Sequence, residues 1–142
     1  MHKLFLGKSI IIAGIKNCDE QTVELLKLFA REGANLVINI TNDKDIDMKK
    51  LIKELEGFEI KVSYIQGEIS IDEVARKIVA VTIFEYGKID IVINVTEMNN
   101  ERVFEEVNFE NLGLKSSSAL CKYALPYIKK QKEGKIINVS LF

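Results

Sequence analysis

Apolar residues along the chain follow two patterns, which alternate from the start to the end. Mostly apolar runs at residues 9–13, 36–40 and 89–95, and a last run around Ile136, Ile137 and Val139 at 135–140, predict β-strands that are buried on both faces. Residues 58–64 instead alternate apolar and mostly polar positions, which is typical of a half-buried strand near the edge of a sheet. The pattern therefore predicts five strands.

Between these strands, apolar residues recur every three to four positions, the period of a helix. Helices are predicted at about residues 19–32, 47–56, 70–87 and 109–131. Gly33 is expected to end the first, because glycine readily adopts the left-handed conformation that follows a last helical turn, and Gly57 stands at the end of the second. Ser70 and Glu73 have the spacing of a capping box and are expected to begin the third helix.

The alternation of buried strands and helices indicates an α/β fold with helices on both faces of a parallel sheet. Right-handed crossovers then give a doubly wound, Rossmann-like sheet of five strands in the order 3-2-1-4-5. The sequence shows no repeat, linker or low-complexity segment, so residues 1–142 are expected to form a single domain.

Composition excludes several classes of function. The net charge of −1 provides no strong field for nucleic acid or for an anionic membrane surface. Every apolar run is far shorter than the roughly 20 residues of a membrane helix, and no signal peptide is recognised, so we expect a cytoplasmic protein. Cys18 and Cys121 lie far apart in a chain whose one histidine is His2, so no metal site is expected.

The turn after the first strand is the candidate ligand site. In a doubly wound sheet, ligands bind beyond the carboxyl ends of the strands where the strand order reverses, here between strands one and four. A dinucleotide needs glycines in this turn and a helix N-terminus free to receive its phosphates. Only Gly14 meets that need, while Asp19 and Glu20 stand at the helix start. Their carboxylates stabilise the helix and compete with a phosphate for the same amides, and Lys16 offsets one charge.

Several segments together resemble the short-chain dehydrogenase/reductase family, in family order and at nearly family spacing. They are Gly7-Lys8 before strand one, LFAREGANLVIN at 28–39, YGKIDIVIN at 86–94, ALPYIKK at 124–130 and GKIINVS at 134–140. The resemblance implies a Rossmann fold related to oxidoreductases that use NAD or NADP. By position in the family motifs, the cofactor-binding candidates are Gly14, Ile15, Thr41, Glu68 and Asn94.

The chain departs from the family at the cofactor site. Cys18 and Glu20 stand where the family has the second and third glycines of the phosphate turn. The turn is two residues longer than usual, similar to the enoyl-acyl-carrier-protein reductase branch, whose serine and alanine correspond to Glu20 and Thr22. Ile40 stands where many NAD-dependent members carry the acidic residue that binds the adenosine ribose. We therefore expect weak or absent binding of NAD or NADP.

The departures are larger at the catalytic positions that the resemblance implies. The family's asparagine falls on Gly113 and its serine on Leu141, and the Tyr-x-x-x-Lys pair would lie beyond Phe142. Tyr123 is followed four residues later by Tyr127 rather than by a lysine. We assign no catalytic residue and expect no dehydrogenase activity from this chain alone, since hydride transfer would lack its acid-base partner.

Three hypotheses remain open. The chain is a catalytically inactive relative (a pseudoenzyme), a truncated or split oxidoreductase, or an interaction scaffold. The last apolar strand, residues 135–140, would have an unpaired edge, which invites association or aggregation. The long helix also has small residues at 116–119 that would permit close approach. A homo-oligomer, or a partner chain bound through the last strand or the long helix, is expected.

Overall fold

The computed structural model describes residues 2–16, 18–96, 103–108 and 119–140 of the chain. Six strands and four helices lie within these ranges. In chain order they are β1 (Ser9–Ile15), α1 (Glu20–Arg31), β2 (Asn35–Ile40), α2 (Met48–Glu56), β3 (Val62–Gln66), α3 (Asp72–Tyr86), β4 (Ile91–Thr96), β5 (Val103–Glu106), α4 (Ala119–Ile128) and β6 (Lys135–Ser140).

The strands form one sheet in the order β3-β2-β1-β4-β6-β5. All neighbours are parallel except β5, which runs antiparallel to β6. This confirms the Rossmann-like α/β class and the relative order of the five expected strands, the last of which is β6. The expected strand number was wrong, because β5 adds a sixth strand at the edge of the sheet.

Strand β5 also overturns the expectation that the last strand has an open edge. Strand β6 is hydrogen-bonded to β4 on one side and to β5 on the other, from Val103 opposite Ser140 to Glu106 opposite Ile137. Glu105 and Glu106 are exposed, and charges on a short edge strand discourage further pairing. Residues 116–118, 141 and 142 lie outside the described ranges. Association through the long helix therefore stays a prediction.

The apolar strands are buried on both faces, as their composition predicts. In β1, Ile10 and Ile12 pack on the face covered by α1 and α2, whereas Ile11 and Ala13 pack on the face of α3 and α4. All four side chains are buried. A strand covered by helices on both faces needs an apolar residue at nearly every position, which explains the continuous runs in the sequence.

The helix ends confirm one local sequence signal, the glycine stop at Gly33, and contradict another, the capping box at Ser70. Gly33 follows α1 with a φ of +88°, and the bonds Gly33 N–H to Ala30 O and Ala34 N–H to Phe29 O confirm it as the helix stop. The predicted capping box at Ser70 was wrong: the residue before α3 is Ile71, and no side chain caps that helix. Of the long helix predicted at 109–131, residues 119–128 are helical and 109–118 lie outside the described ranges.

Candidate functional site

The carboxyl ends of the parallel strands meet at one edge of the sheet, and the order reverses between β1 and β4. Gly14 lies at this reversal with a φ of +83°. A Cβ atom added there would stand 2.7 Å from the backbone oxygen of Val95, near the end of β4. Both the backbone conformation and the close approach of the two strands therefore require glycine at this position.

A buried asparagine binds the backbone N–H of Gly14, and the sequence analysis assigned this residue no role. Asn39 is fully buried in β2. Its Oδ1 accepts from the Gly14 N–H at 2.9 Å, and its Nδ2 donates to the carbonyls of Ile65 at 3.1 Å and Gly67 at 3.0 Å. One side chain thus joins the carboxyl ends of three neighbouring strands. The available signal was a single polar residue within an otherwise apolar buried run.

The predicted cofactor-binding residues Ile15 and Thr41 are neighbours at the ends of β1 and β2. The Ile15 side chain is fully buried in the core, so this residue can present only its backbone to a ligand. Its carbonyl accepts from the Thr41 N–H at 2.8 Å. The Thr41 carbonyl accepts from Gln66 Nε2 at 2.7 Å. These bonds fix the Thr41 backbone beside the end of β1.

The Thr41 hydroxyl is the least satisfied polar group at this edge. Its Oγ1 is buried and, among the described residues, has no hydrogen-bond partner. Leaving a buried hydroxyl unpaired costs about 1–3 kcal/mol, so the group would gain from a polar ligand atom. Thr41 stands where the resemblance to the family would place the adenosine of a cofactor (the adenosine end of the site), and a contact with a nucleotide there stays a prediction.

The start of α1, where the phosphates of a dinucleotide would bind (the phosphate end of the site), is a poor fit to a phosphate. Asp19 is the N-cap of α1, and its Oδ1 accepts from the Thr22 N–H at 2.9 Å. Glu20 follows in the first turn. Burial, and secondly the charge of Asp19, raise the pKa of the Cys18 thiol in the preceding turn. A neutral thiol and two carboxylates therefore stand where a phosphate would approach the helix.

Asn94 lies in β4, beside Ala13 of β1 and Asn138 of β6. Its Nδ2 donates to Asn138 Oδ1 and contacts Cys121 Sγ of α4, both at 3.1 Å. The side chain thus faces α4 and stabilises the contact between helix and sheet. A cofactor contact by Asn94 stays a prediction.

Glu68 follows Gly67 at the end of β3, and its side chain is half-buried. The Glu68 carbonyl accepts from the Ile71 N–H at 3.0 Å, which forms the turn into α3. Its position after β3 places it at the same edge as Gly14 and Thr41, whereas a contact with a nucleotide stays a prediction.

A tyrosine–aspartate pair that the sequence reasoning missed lies at the outer side of this edge. Tyr64 in β3 donates its hydroxyl proton to Asp43 Oδ2 at 2.8 Å. Burial first, and then the hydrogen bond to Asp43, raise the pKa of Tyr64 well above its usual range. This hydrogen bond connects the loop between β2 and α2 to strand β3. Nothing in the sequence pattern links two residues that lie on different elements.

The described ranges contain neither a metal centre nor a membrane-spanning helix. No three or more His, Cys, Asp or Glu side chains converge there as a metal centre would require. None of the helices in this part of the chain has the length and apolar character needed to cross a membrane.

The chain is similar to dehydrogenases and reductases in sequence and in structure. It is 28% identical to the 3-oxoacyl-acyl-carrier-protein reductase FabG of Thermotoga maritima, over 94% of this chain and 55% of the relative. An uncharacterized oxidoreductase of the same organism is 31% identical over 96% of this chain and 54% of the relative.

Among solved structures, a putative dehydrogenase from Xanthomonas campestris superposes with a TM-score of 0.68 at 16% identity, covering 93% of this chain and 52% of that one. The NADH-dependent reductase A1-R′ complexed with NAD gives 0.66 at 20% identity, over 92% and 55%. At these identities the structures show the fold alone. The chain spans about half the length of the relatives it matches.

The family model for short chain dehydrogenases matches residues 22–141 and thus most of the chain. This match includes β2, β3, β4 and β6 and the helices between them. The chain therefore belongs to the short-chain dehydrogenase family.

Proposed function

We propose that this chain is a Rossmann unit of the short-chain dehydrogenase family that binds a dinucleotide weakly, mainly through the adenosine end, and does not itself catalyse hydride transfer. The observation that carries the proposal is the hydrogen bond from the Thr22 N–H to Asp19 at the start of α1. It places a carboxylate on an amide that a phosphate would otherwise use.

The adenosine end supports some binding. Gly14 lies at the reversal of strand order, where it lets β1 and β4 approach closely, and Asn39 accepts from its N–H. The Thr41 hydroxyl would hold the ribose, because this buried oxygen has no partner among the described residues. When bound, the nicotinamide of such a cofactor would supply or accept a hydride.

The phosphate end opposes binding. A diphosphate would have to displace the Asp19 side chain from the Thr22 amide and approach Glu20 as well. Losing an N-cap bond costs about 1 kcal/mol, and charge repulsion adds to this. Since about 1.4 kcal/mol corresponds to a tenfold change in affinity, the two effects together reduce binding by roughly tenfold or more.

The tyrosines of the chain do not form the pair that carbonyl reduction requires. None of the four is followed by a lysine four residues later. Tyr64 donates to Asp43, Tyr86 to the Leu36 carbonyl and Tyr123 to Asp72. Burial raises the pKa of Tyr64 and of Tyr86, which is opposite to the lowering that a phenol needs to serve as an acid near neutral pH.

Isothermal titration of the purified chain with NAD, NADH, NADP and NADPH tests this proposal. We expect millimolar dissociation constants for the wild type and no carbonyl reduction. Asp19→Ser keeps a capping side chain but removes the charge, so it should tighten dinucleotide binding several-fold. Asp47→Ser makes the same change at the N-cap of α2 and should leave binding unaltered. Micromolar binding by the wild type together with carbonyl reduction would falsify the proposal.

A second function is favoured by the lengths of the relatives, about twice that of this chain. In this alternative the chain supplies the nucleotide-binding half of a larger or split oxidoreductase. Sequencing the coding DNA around the gene decides between the two. If no Tyr-x-x-x-Lys follows in any reading frame, and no neighbouring gene encodes one, the alternative is abandoned.

A further inference from the structure

Strand β5 lies at one edge of the sheet and differs from the other described strands in direction and length. It has four residues and runs antiparallel to β6, from Val103 opposite Ser140 to Glu106 opposite Ile137. All other neighbouring strands are parallel. The edge of β6 that faces away from β4 is therefore covered by a short segment of the same chain.

Few side-chain contacts among the described residues hold β5 in place. Glu105 and Glu106 are exposed, so two of the four side chains add nothing to the core. The Glu106 carboxylate lies 3.9 Å from Lys135 Nζ, but both side chains are exposed and solvent screens the ion pair. Val107, just after the strand, is partly buried against the core on the α3 and α4 face. A short edge strand of this kind is a segment that opens locally while the rest of the sheet stays folded.

One backbone bond fixes the direction in which the N–H groups of this segment point. The Val107 N–H donates to the Ile136 carbonyl at 2.8 Å. Successive N–H groups of a strand point to opposite sides. The N–H of Glu105 therefore also points to β6, where Asn138 lies directly opposite, and the N–H of Glu106 points away from β6.

The same alternation assigns the backbone groups of β6. Those of Ile136 and Asn138 face β5, whereas those of Ile137 face β4. Without β5, β6 would present unpaired backbone groups on a strand whose one charged residue is Lys135. Its remaining residues include Ile137 and Val139, which have high β-propensity. An edge of this composition readily pairs with another strand.

We propose that β5 covers a latent dimer edge, and that when β5 leaves β6, the β6 strands of two copies of this chain pair antiparallel and join their sheets. The direction of pairing favours a second copy as the occupant. Most homodimers have two-fold symmetry, which sets identical edge strands antiparallel where they join two sheets. The pairing with β5 shows that this edge of β6 accepts an antiparallel strand. The inference does not depend on whether a dinucleotide binds.

Amide hydrogen exchange of the wild type in dilute solution tests whether β5 leaves β6. The N–H groups of Asn138 and Ile137 belong to the same strand but face β5 and β4, respectively. After correction for intrinsic rates, we expect Asn138 to exchange at least about tenfold faster than Ile137, through local opening of β5. Equal protection of the two amides would overturn the inference, because β5 would then open only together with the whole sheet.

Glu105→Pro and Glu106→Pro form a matched pair of variants for the association itself. Each replaces one exposed glutamate by proline, but only Glu105→Pro removes an N–H that points to β6. In sedimentation velocity at increasing concentration, Glu105→Pro should rise toward twice the wild-type mass, and Glu106→Pro should match the wild type. In Glu105→Pro the Asn138 amide should become more protected as the concentration rises.

Three results with these variants would overturn the inference. Glu105→Pro would keep the wild-type mass at every concentration, or both proline variants would associate equally. In the third, Glu105→Pro would associate without any concentration-dependent protection of Asn138, which would show that the copies join elsewhere, such as through α4. If Glu105→Pro loses its dispersed spectrum, the wild-type comparison of Asn138 with Ile137 decides.

Discussion

The Asn39 side chain accepts a hydrogen bond from the Gly14 backbone N–H, and through it the buried middle of the sheet fixes the turn at the candidate ligand site. The Nδ2 of the Asn39 side chain donates to the carbonyls of Ile65 and Gly67, at the end of β3. The turn geometry therefore depends on a residue 25 positions away in sequence. A change at Asn39 should therefore alter both folding stability and the proposed ligand site.

Replacing Asn39 by leucine should lower the free energy of unfolding by about 2–4 kcal/mol. The leucine side chain has a similar size but leaves the Gly14 N–H and the Ile65 and Gly67 carbonyls without their Asn39 partner, at up to about 1–3 kcal/mol each before relaxation. Urea denaturation measures the loss. Asn42→Leu, at an exposed position in the next loop, is the control and should change stability by less than about 1 kcal/mol. Equal losses in both variants would show that Asn39 does not have the role assigned to it.

Gly14→Ala should be more destabilising than alanine at another left-handed glycine. The new Cβ would meet the Val95 oxygen at 2.7 Å, in addition to the strain of a φ of +83°. Gly87, at +76°, has open space around the same position and isolates the strain alone, about 1 kcal/mol. We expect Gly14→Ala to lose about 1–3 kcal/mol more than Gly87→Ala in urea denaturation. A smaller loss at Gly14 would mean that β1 and β4 separate easily.

Stability should fall at alkaline pH. Burial raises the pKa of Cys18, of Tyr64 and of Tyr86 in the folded chain. Below the ordinary pKa values of these groups, both folded and unfolded chains keep the protons, and the contribution is fully present. Above them the unfolded chain releases protons first, so the free energy of unfolding decreases from about pH 8.5 for the thiol and about pH 10 for the phenols.

Urea denaturation at a series of pH values from 7 to 11 checks this dependence. Tyr64→Phe and Tyr86→Phe should each flatten the fall above about pH 10, and Cys18→Ser should flatten the part between about pH 8.5 and 10. At neutral pH, Tyr64→Phe should lose about 0.5–1.5 kcal/mol through its bond to Asp43. Stability that rises with pH above 9 would contradict the assignment.

The sequence by itself determined the buried framework. Strands covered on both faces must be apolar at nearly every position, so β1, β2 and β4 are visible as nearly continuous runs. The bounds of β6 agree with the prediction. Gly33 marked the end of α1 because glycine adopts the required φ without strain. Gly14, near the end of β1, also predicted where the candidate ligand site lies.

Only the tertiary structure decided which strands pair and which side chains form hydrogen bonds between elements. Strand β5 has four residues, two of them glutamates, so it leaves no periodic signal, and only its pairing with β6 makes it a strand. The bonds of Asn39 to Gly14 and of Tyr64 to Asp43 join different elements. Apolar periodicity reports which residues are buried, because burial depends on local spacing. It does not report which distant group satisfies a buried donor or an open strand edge, because that depends on how the elements are brought together in space.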